Sequence, residues 1–179
     1  MAYTIVYDYA DYPAGGTDSS LTSNGSTCRG NKVATTSSIL HGTTPSRVTI
    51  PYTATGSTSS DWTLVISQGT TVEYSKSGTS TFATSGTIEI DISDNTSTMD
   101  TTWAIYLIVD SSNVSVTRTT WGTGAASYDG ENTLRANYNE AGAQQGSNEP
   151  LSDIQMKIET GSADPTTSSV LLPPPVAWI

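Results

Sequence analysis

His41 is the only histidine in this chain of 179 residues. Acid–base or nucleophilic catalysis near neutral pH usually needs such a group beside a partner. It stands in Leu40-His41-Gly42-Thr43-Thr44, a turn-like setting where a solvated or backbone-bonded histidine is a simpler reading than a general base. No Gly-x-Ser-x-Gly, Gly-x-x-x-x-Gly-Lys or His-Glu-x-x-His pattern occurs, so the common nucleophile, phosphate-loop and zinc-hydrolase signatures are missing. Glycoside hydrolysis needs only two carboxylates, and Glu73, Glu89, Glu131 and Glu140 are available. Glu89, however, alternates with Ile88 and Ile90 and is most simply a solvated outer-face residue. Asp91, Asp94, Asn95 and Asp100 gather around one expected loop, and Asp129-Gly130-Glu131-Asn132 forms a second oxygen-rich turn. Neither has the spacing of the 12-residue calcium loop, and acidic turn chemistry accounts for both. The single cysteine, Cys28, leaves no internal disulfide and no Cys-x-x-Cys pair. The expectation is a protein without catalytic residues, cofactor or metal.

Apolar and aromatic residues suggest binding instead. Tyr3, Ile5, Tyr7 and Tyr9 fall on one face by strict alternation, a strand signal. With Tyr12 and Trp62 these tyrosines could form a flat sugar-binding platform, although packing against the body or a neighbour explains them more simply. At the far end Leu171, Leu172, Pro173, Pro174, Pro175, Val176, Ala177, Trp178 and Ile179 form an apolar segment. Three prolines in a row donate no hydrogen bonds and favour an extended polyproline path. Burying its five large side chains would contribute about 7 to 15 kcal/mol, while ordering nine backbone residues costs about as much. A pre-formed apolar groove must therefore receive it, on this chain or on a partner. The partner is the favoured reading, which makes Tyr3, Ile5, Tyr7, Tyr9 and the C-terminal apolar residues the candidate partner-binding set.

Composition narrows the partners. Seven basic residues against seventeen acidic ones give a net charge of -10, which repels phosphate backbones and anionic lipid surfaces. Neither nucleic acid nor membrane is expected. The longest apolar run, residues 103–109, falls far short of the roughly 20 residues a spanning helix needs. Residues 1–8 lack the basic start and apolar core of a secretory signal, so the chain is expected to act where it is made or assembled. The sequons at Asn24, Asn95 and Asn113 are then chance matches.

About a third of the residues are Ser or Thr, and no long segment is rich in strong helix formers, so an all-β fold is the default. Residues 17–31 hold almost nothing to bury and read as a linker closing an N-terminal arm, 1–30. A sandwich is expected over 31–123. Its strands are residues 47–53, with Pro51 marking an edge or bulge, then 61–66, 70–75 after a turn at Gln68-Gly69, and 86–92. Residues 102–110 carry apolar side chains on both faces and read as a central strand buried on both sides. It is expected to pair with 86–92 and to turn at Ser111-Ser112 into a hairpin with 113–121. Residues 124–179 read as an extended C-terminal arm, with 151–159 one further element, either a strand using Ile154, Met156 and Ile158 or a short helix using Leu151, Ile154 and Ile158, the strand being the favoured reading.

The run Asp61-Trp62-Thr63-Leu64-Val65-Ile66, the Gly-led strand Ile88-Glu89-Ile90-Asp91-Ile92 and the run 102–113 together resemble the immunoglobulin-like β-sandwich of tailed-bacteriophage virion proteins. Those include the N-terminal domains of baseplate upper proteins. The resemblance covers about half of the chain. It implies an all-β, single immunoglobulin-like antiparallel sandwich with extended arms, located in the virion after synthesis in the bacterial cytoplasm. The expected role is non-enzymatic: a capsid decoration or cement protein whose arms lie in grooves of neighbouring subunits. Its partners would be the major capsid protein or tail proteins, in a homo-oligomer or repeated array. The alternatives are a tail or baseplate adaptor docking fibres, and a carbohydrate-binding or adhesin module.

Overall fold

The computed structural model describes residues 2–24, 27–122, 128–138, 144–145 and 151–161. Within them the chain forms twelve strands: β1 (Thr4–Asp8), β2 (Thr17–Thr22), β3 (Cys28–Val33), β4 (Arg47–Ala54), β5 (Thr58–Gln68), β6 (Thr71–Phe82), β7 (Ser85–Asp91), β8 (Trp103–Val109), β9 (Val114–Thr120), β10 (Thr133–Tyr138), β11 (Ser152–Ile154) and β12 (Lys157–Thr160). Short 3-10 turns span Tyr9–Asp11 and Tyr128–Glu131. All strand pairings are antiparallel, in a seven-stranded and a five-stranded sheet. The smaller sheet runs β10-β3-β8-β5-β6.

The larger sheet is built around a fork. β4 pairs with β9 through Tyr52–Ala54 and with β12 through Arg47–Thr49. Beyond the fork β9 takes β11 through Thr120, Thr119 and Arg118, so residues 152–160 fill the space where β4 and β9 diverge. β1 extends β12, β2 lines β9, and β7 lines β4. Pro51 therefore sits inside a strand with neighbours on both sides. It faces Thr87 of β7 and falls in the gap between the β12 and β9 pairings, where no ladder bond is demanded of a residue without an N–H.

Alternation in the sequence locates the core. Ile88 and Ile90 of β7, Val114 and Val116 of β9, and Leu64 and Ile66 of β5 are buried and meet Ile105, Leu107 and Val109 of β8 between the sheets. The other face of β8 is buried as well: Ala104, Tyr106 and Ile108 form a separate cluster with Cys28, Val65, Ala136 and Tyr138. The two-sided burial expected of 102–110 is thus present.

Other expectations change. Thr17–Thr22 and Cys28–Val33 are strands, not linker, and β10, β11 and β12 belong to the sheets, so strands reach well outside 31–123. β7 pairs with β4 rather than β8. β8 and β9 are not a hairpin, because the corner between them crosses from sheet to sheet. Asp110 N donates to Asp61 O of β5, while Asn113 O accepts from Thr55 N just after β4. The Gln68-Gly69 turn is as expected, with Gly69 at φ +57°, a conformation glycine reaches without steric cost.

Candidate interaction surface

β1 carries Ile5 and Tyr7, with Tyr3 just before it and Tyr9 just after it in the 3-10 turn, and a register shift between Ile5 and Tyr7 in its pairing with β12 breaks their alternation. A bulge re-aims side chains on either side of the extra residue. As a result Ile5 is 52% exposed while Tyr7 is fully buried in the core. Tyr7 is thus corrected from surface contact to core residue. Tyr3 stays at the surface, half-buried beneath the Arg47 guanidinium, which lies 3.9 Å from its ring centroid. Its hydroxyl points to Asp91 Oδ2 at 3.4 Å. Tyr9 is half-buried and lines a cavity of about 190 Å³ with Tyr12, Gly16, Asp18, Thr119 and Gln155.

Beneath this surface lies an aromatic cluster that the sequence did not assemble. The Tyr7 ring meets Tyr12 and Tyr128 edge-on at 6.0 and 5.0 Å, and Tyr12 meets Trp121 at 5.2 Å. The Tyr7 and Tyr12 hydroxyls are 2.7 Å apart, and Tyr12 Oη donates to Ile154 O at 3.1 Å. Asn31 of β3 acts as a rung between the sheets. Its Nδ2 donates to Ile154 O at 2.8 Å and its Oδ1 accepts from Ile154 N at 2.8 Å. Beside them Asp153 is 1% exposed, and its carboxylate oxygens make no well-formed hydrogen bond, the Tyr7 hydroxyl giving only weak support while it engages Tyr12. Burial first, then the Asp129 carboxylate, push its pKa well above the usual range. Burial likewise raises Tyr7 and Tyr12.

Three of the seven basic residues also converge. Arg29 and Arg135 both donate to Asn137 Oδ1, and Arg118 Nε donates to Ser19 Oγ at 2.7 Å. Burial, reinforced by Arg29 and Arg118, lowers Arg135 to about 10. These arginines come from β3, β9 and β10, too far apart in the chain for any local motif to reveal them.

The remaining sequence candidates have local explanations. His41 Nε2 lies 2.9 Å from Asp100 Oδ1 at the surface. Asp91 caps Ser93 N, Asp94 accepts from Tyr74, and Asp129 accepts from Thr133 N and Oγ1. Among the described residues no three metal-ligating side chains come together, and no helix is long and apolar enough to cross a membrane. Trp62 belongs to β5, in the other sheet from β1, so the five rings do not share one platform. Its indole packs on Gly78, where an added Cβ would lie 2.6 Å from Cζ2. The groove there, about 430 Å³, is lined by Asp61, Trp62, Thr63, Ser77, Gly78, Thr79 and Asp110.

Leu171, Leu172, Pro173, Pro174, Pro175, Val176, Trp178 and Ile179 lie outside the described residues. No protein-family model, curated protein or solved structure matches the chain.

Proposed function

We propose that this protein is a non-enzymatic structural component of a tailed-phage virion, most concretely a capsid decoration or cement protein. Its sandwich is read as immunoglobulin-like, and it joins neighbouring subunits through its two ends. One observation carries the reading. Among the described residues the core between the sheets takes its last strand from β12, which ends at Thr160, and the sequence goes on to the apolar residues 171–179, for which a groove on a neighbour is the favoured seat. A second feature supports it. β1 closes one end of the larger sheet and presents Ile5 to solvent, and a strand edge of this kind pairs readily with another chain. Repetition over a particle multiplies a modest contact through avidity. The acidic, hydroxyl-rich exterior keeps a densely repeated surface soluble.

Deleting residues 171–179 tests this. The truncated protein is expected to remain folded but to be lost from particles. Normal occupancy of the truncated protein would overturn the proposal.

A second reading rests on the Trp62 groove. There an indole, two carboxylates and several hydroxyls border one shallow depression, the chemistry of a carbohydrate-binding module. Glycan binding by the isolated protein that disappears in Trp62→Ala would favour that module over the virion role.

A further inference from the structure

Strand alternation carries three arginines into one place. Residues two apart on a strand share a face, and so do residues directly opposite in a ladder. Val116 of β9 points into the core between the sheets, so Arg118 faces the same side, as does Ser19 of β2, which pairs with it. Asn31 of β3 crosses that gap to Ile154, so Arg29, two residues before it, also faces the gap. Arg135 of β10 pairs directly with Asn31, and Asn137 with Arg29. The interior stripe thus changes from apolar to polar and cationic on both sheets. Leu21 gives way to Ser19 and Thr17, Val116 to Arg118 and Thr120, and Val33 to Asn31 and Arg29.

The guanidiniums meet where these stripes end. Arg29 Nη1 and Arg135 Nη1 donate to the same atom, Asn137 Oδ1, and the Arg118 charge acts on both arginines. Ser19 Oγ accepts from Arg118 Nε at 2.7 Å, which leaves the Ser19 hydroxyl proton to be donated elsewhere. Arg135 is 2% exposed, whereas Arg29 and Arg118 are half-buried. Beside Arg118 opens a groove of about 390 Å³, bordered by Thr17, Ser19, Thr120, Trp121 and Gly122. The cluster therefore has a route to solvent, with hydroxyls at its mouth.

Three like charges gathered where water is partly excluded repel one another. Burial first, and then the charges of Arg29 and Arg118, bring Arg135 down to about 10. An anion among them converts that repulsion into attraction. Each guanidinium presents its N–H donors in a rigid fork that matches the oxygens of a phosphate or sulfate. The net charge of -10 works against a polyanion, and a groove of this size suits a small ligand.

We propose that Arg29, Arg118 and Arg135 form a binding site for a small inorganic oxyanion of the phosphate class, entered through the groove beside Ser19 and Thr120. The assignment goes beyond the virion reading and does not depend on it. The bound anion ties β2 and β9 of one sheet to β3 and β10 of the other, and clamps the sandwich where its apolar packing gives out.

Phosphorus NMR of inorganic phosphate, titrated with the full-length protein at constant ionic strength and with chloride as the balancing ion, tests this. Saturable binding is expected with a Kd of about 1 mM or tighter, competed by sulfate and not by chloride. Arg118→Gln is expected to weaken it about 10-fold or more, through loss of a charge-assisted contact. Lys76→Gln, in β6 at the other end of the five-stranded sheet, should leave it unchanged. Linkage gives a second readout: about 10 mM phosphate is expected to raise the thermal midpoint of the wild type above that in chloride, and the rise should be lost in Arg118→Gln. Circular dichroism monitors the fold of the variants. Because Arg118→Gln could fail to fold, the wild-type titration decides by itself: absence of saturable phosphate binding would overturn the assignment. So would equal affinity in folded Arg118→Gln, or equal competition by chloride. All of these are read on free protein, so the outcome is separate from particle occupancy.

Discussion

Two buried carboxylates respond to pH with opposite sign. Glu159 of β12 is 5% exposed and bound by Arg47 of β4 through Nε at 2.5 Å and Nη2 at 2.8 Å. The hydrogen bond from Arg47 holds its pKa below the usual range. Its contribution to stability is therefore complete above the unfolded carboxylate pKa and is lost as pH falls through the lower folded value. Arg47→Ala leaves the carboxylate with only Lys157 Nζ, 3.9 Å away, and is expected to cost about 3 kcal/mol at neutral pH. That deficit should shrink as Glu159 protonates at acid pH, which urea denaturation at neutral and acid pH would show. Asp153 behaves in the reverse way, because its folded pKa is raised. Its burden on the fold is greatest above that raised value and fades as pH falls toward the unfolded carboxylate pKa. Asp153→Asn is expected to stabilise the protein by about 2 kcal/mol at neutral pH, with the gain vanishing in acid. A loss of stability at neutral pH would show that the carboxylate has a partner this account lacks.

Strand packing depends on close approaches as well as apolar alternation. Gly30 of β3 pairs with Tyr106 of β8, and a Cβ there would meet Ile105 O at 2.2 Å and Tyr106 Cβ at 2.4 Å. Gly30→Ala is expected to cost about 3 kcal/mol through overpacking. Gly122→Ala, with nothing within 4 Å, should leave the urea midpoint unchanged. Sequence pattern identified the strands that bury side chains: Ile88 and Ile90 announce β7, and the two-faced run 103–109 announces β8. It missed β2, β3 and β10 and shortened β6: β2 and β6 are held largely by backbone pairing, while β3 and β10 bury polar residues such as Asn31, Thr133 and Arg135 that carry no apolar alternation. Most β2 side chains are at least partly exposed, and β6 alternates exposed with half-buried residues along most of its length. The pairing of β7 and the crossing between β8 and β9 were illegible for another reason. Both are fixed by partners distant in the chain, Thr55 and Asp61 among them. The aromatic cluster and the arginine trio share that origin. The apolar end was legible as something needing a groove, while the buried outer face of the five-stranded sheet emerged only once β3, β5, β8 and β10 stood side by side.

At the level of the whole molecule, a body of net charge -10 carries an apolar end, and the two make opposite demands on assembly. Copies in a dense array repel one another through their charge, while the apolar contacts are indifferent to screening. Binding to particles stripped of this protein is therefore expected to persist or strengthen at about 1 M salt, where the screening length is only about 3 Å. Binding that collapses with salt would point to charge pairing instead. The central claim is that this sandwich serves assembly by lodging its ends in neighbouring subunits, and a cryo-EM map of an intact particle tests it most directly. The account expects repeated copies on the capsid, each with residues 171–179 seated in a groove of an adjacent subunit. Absence of the chain from particles, or copies whose apolar ends touch no neighbour, would contradict it.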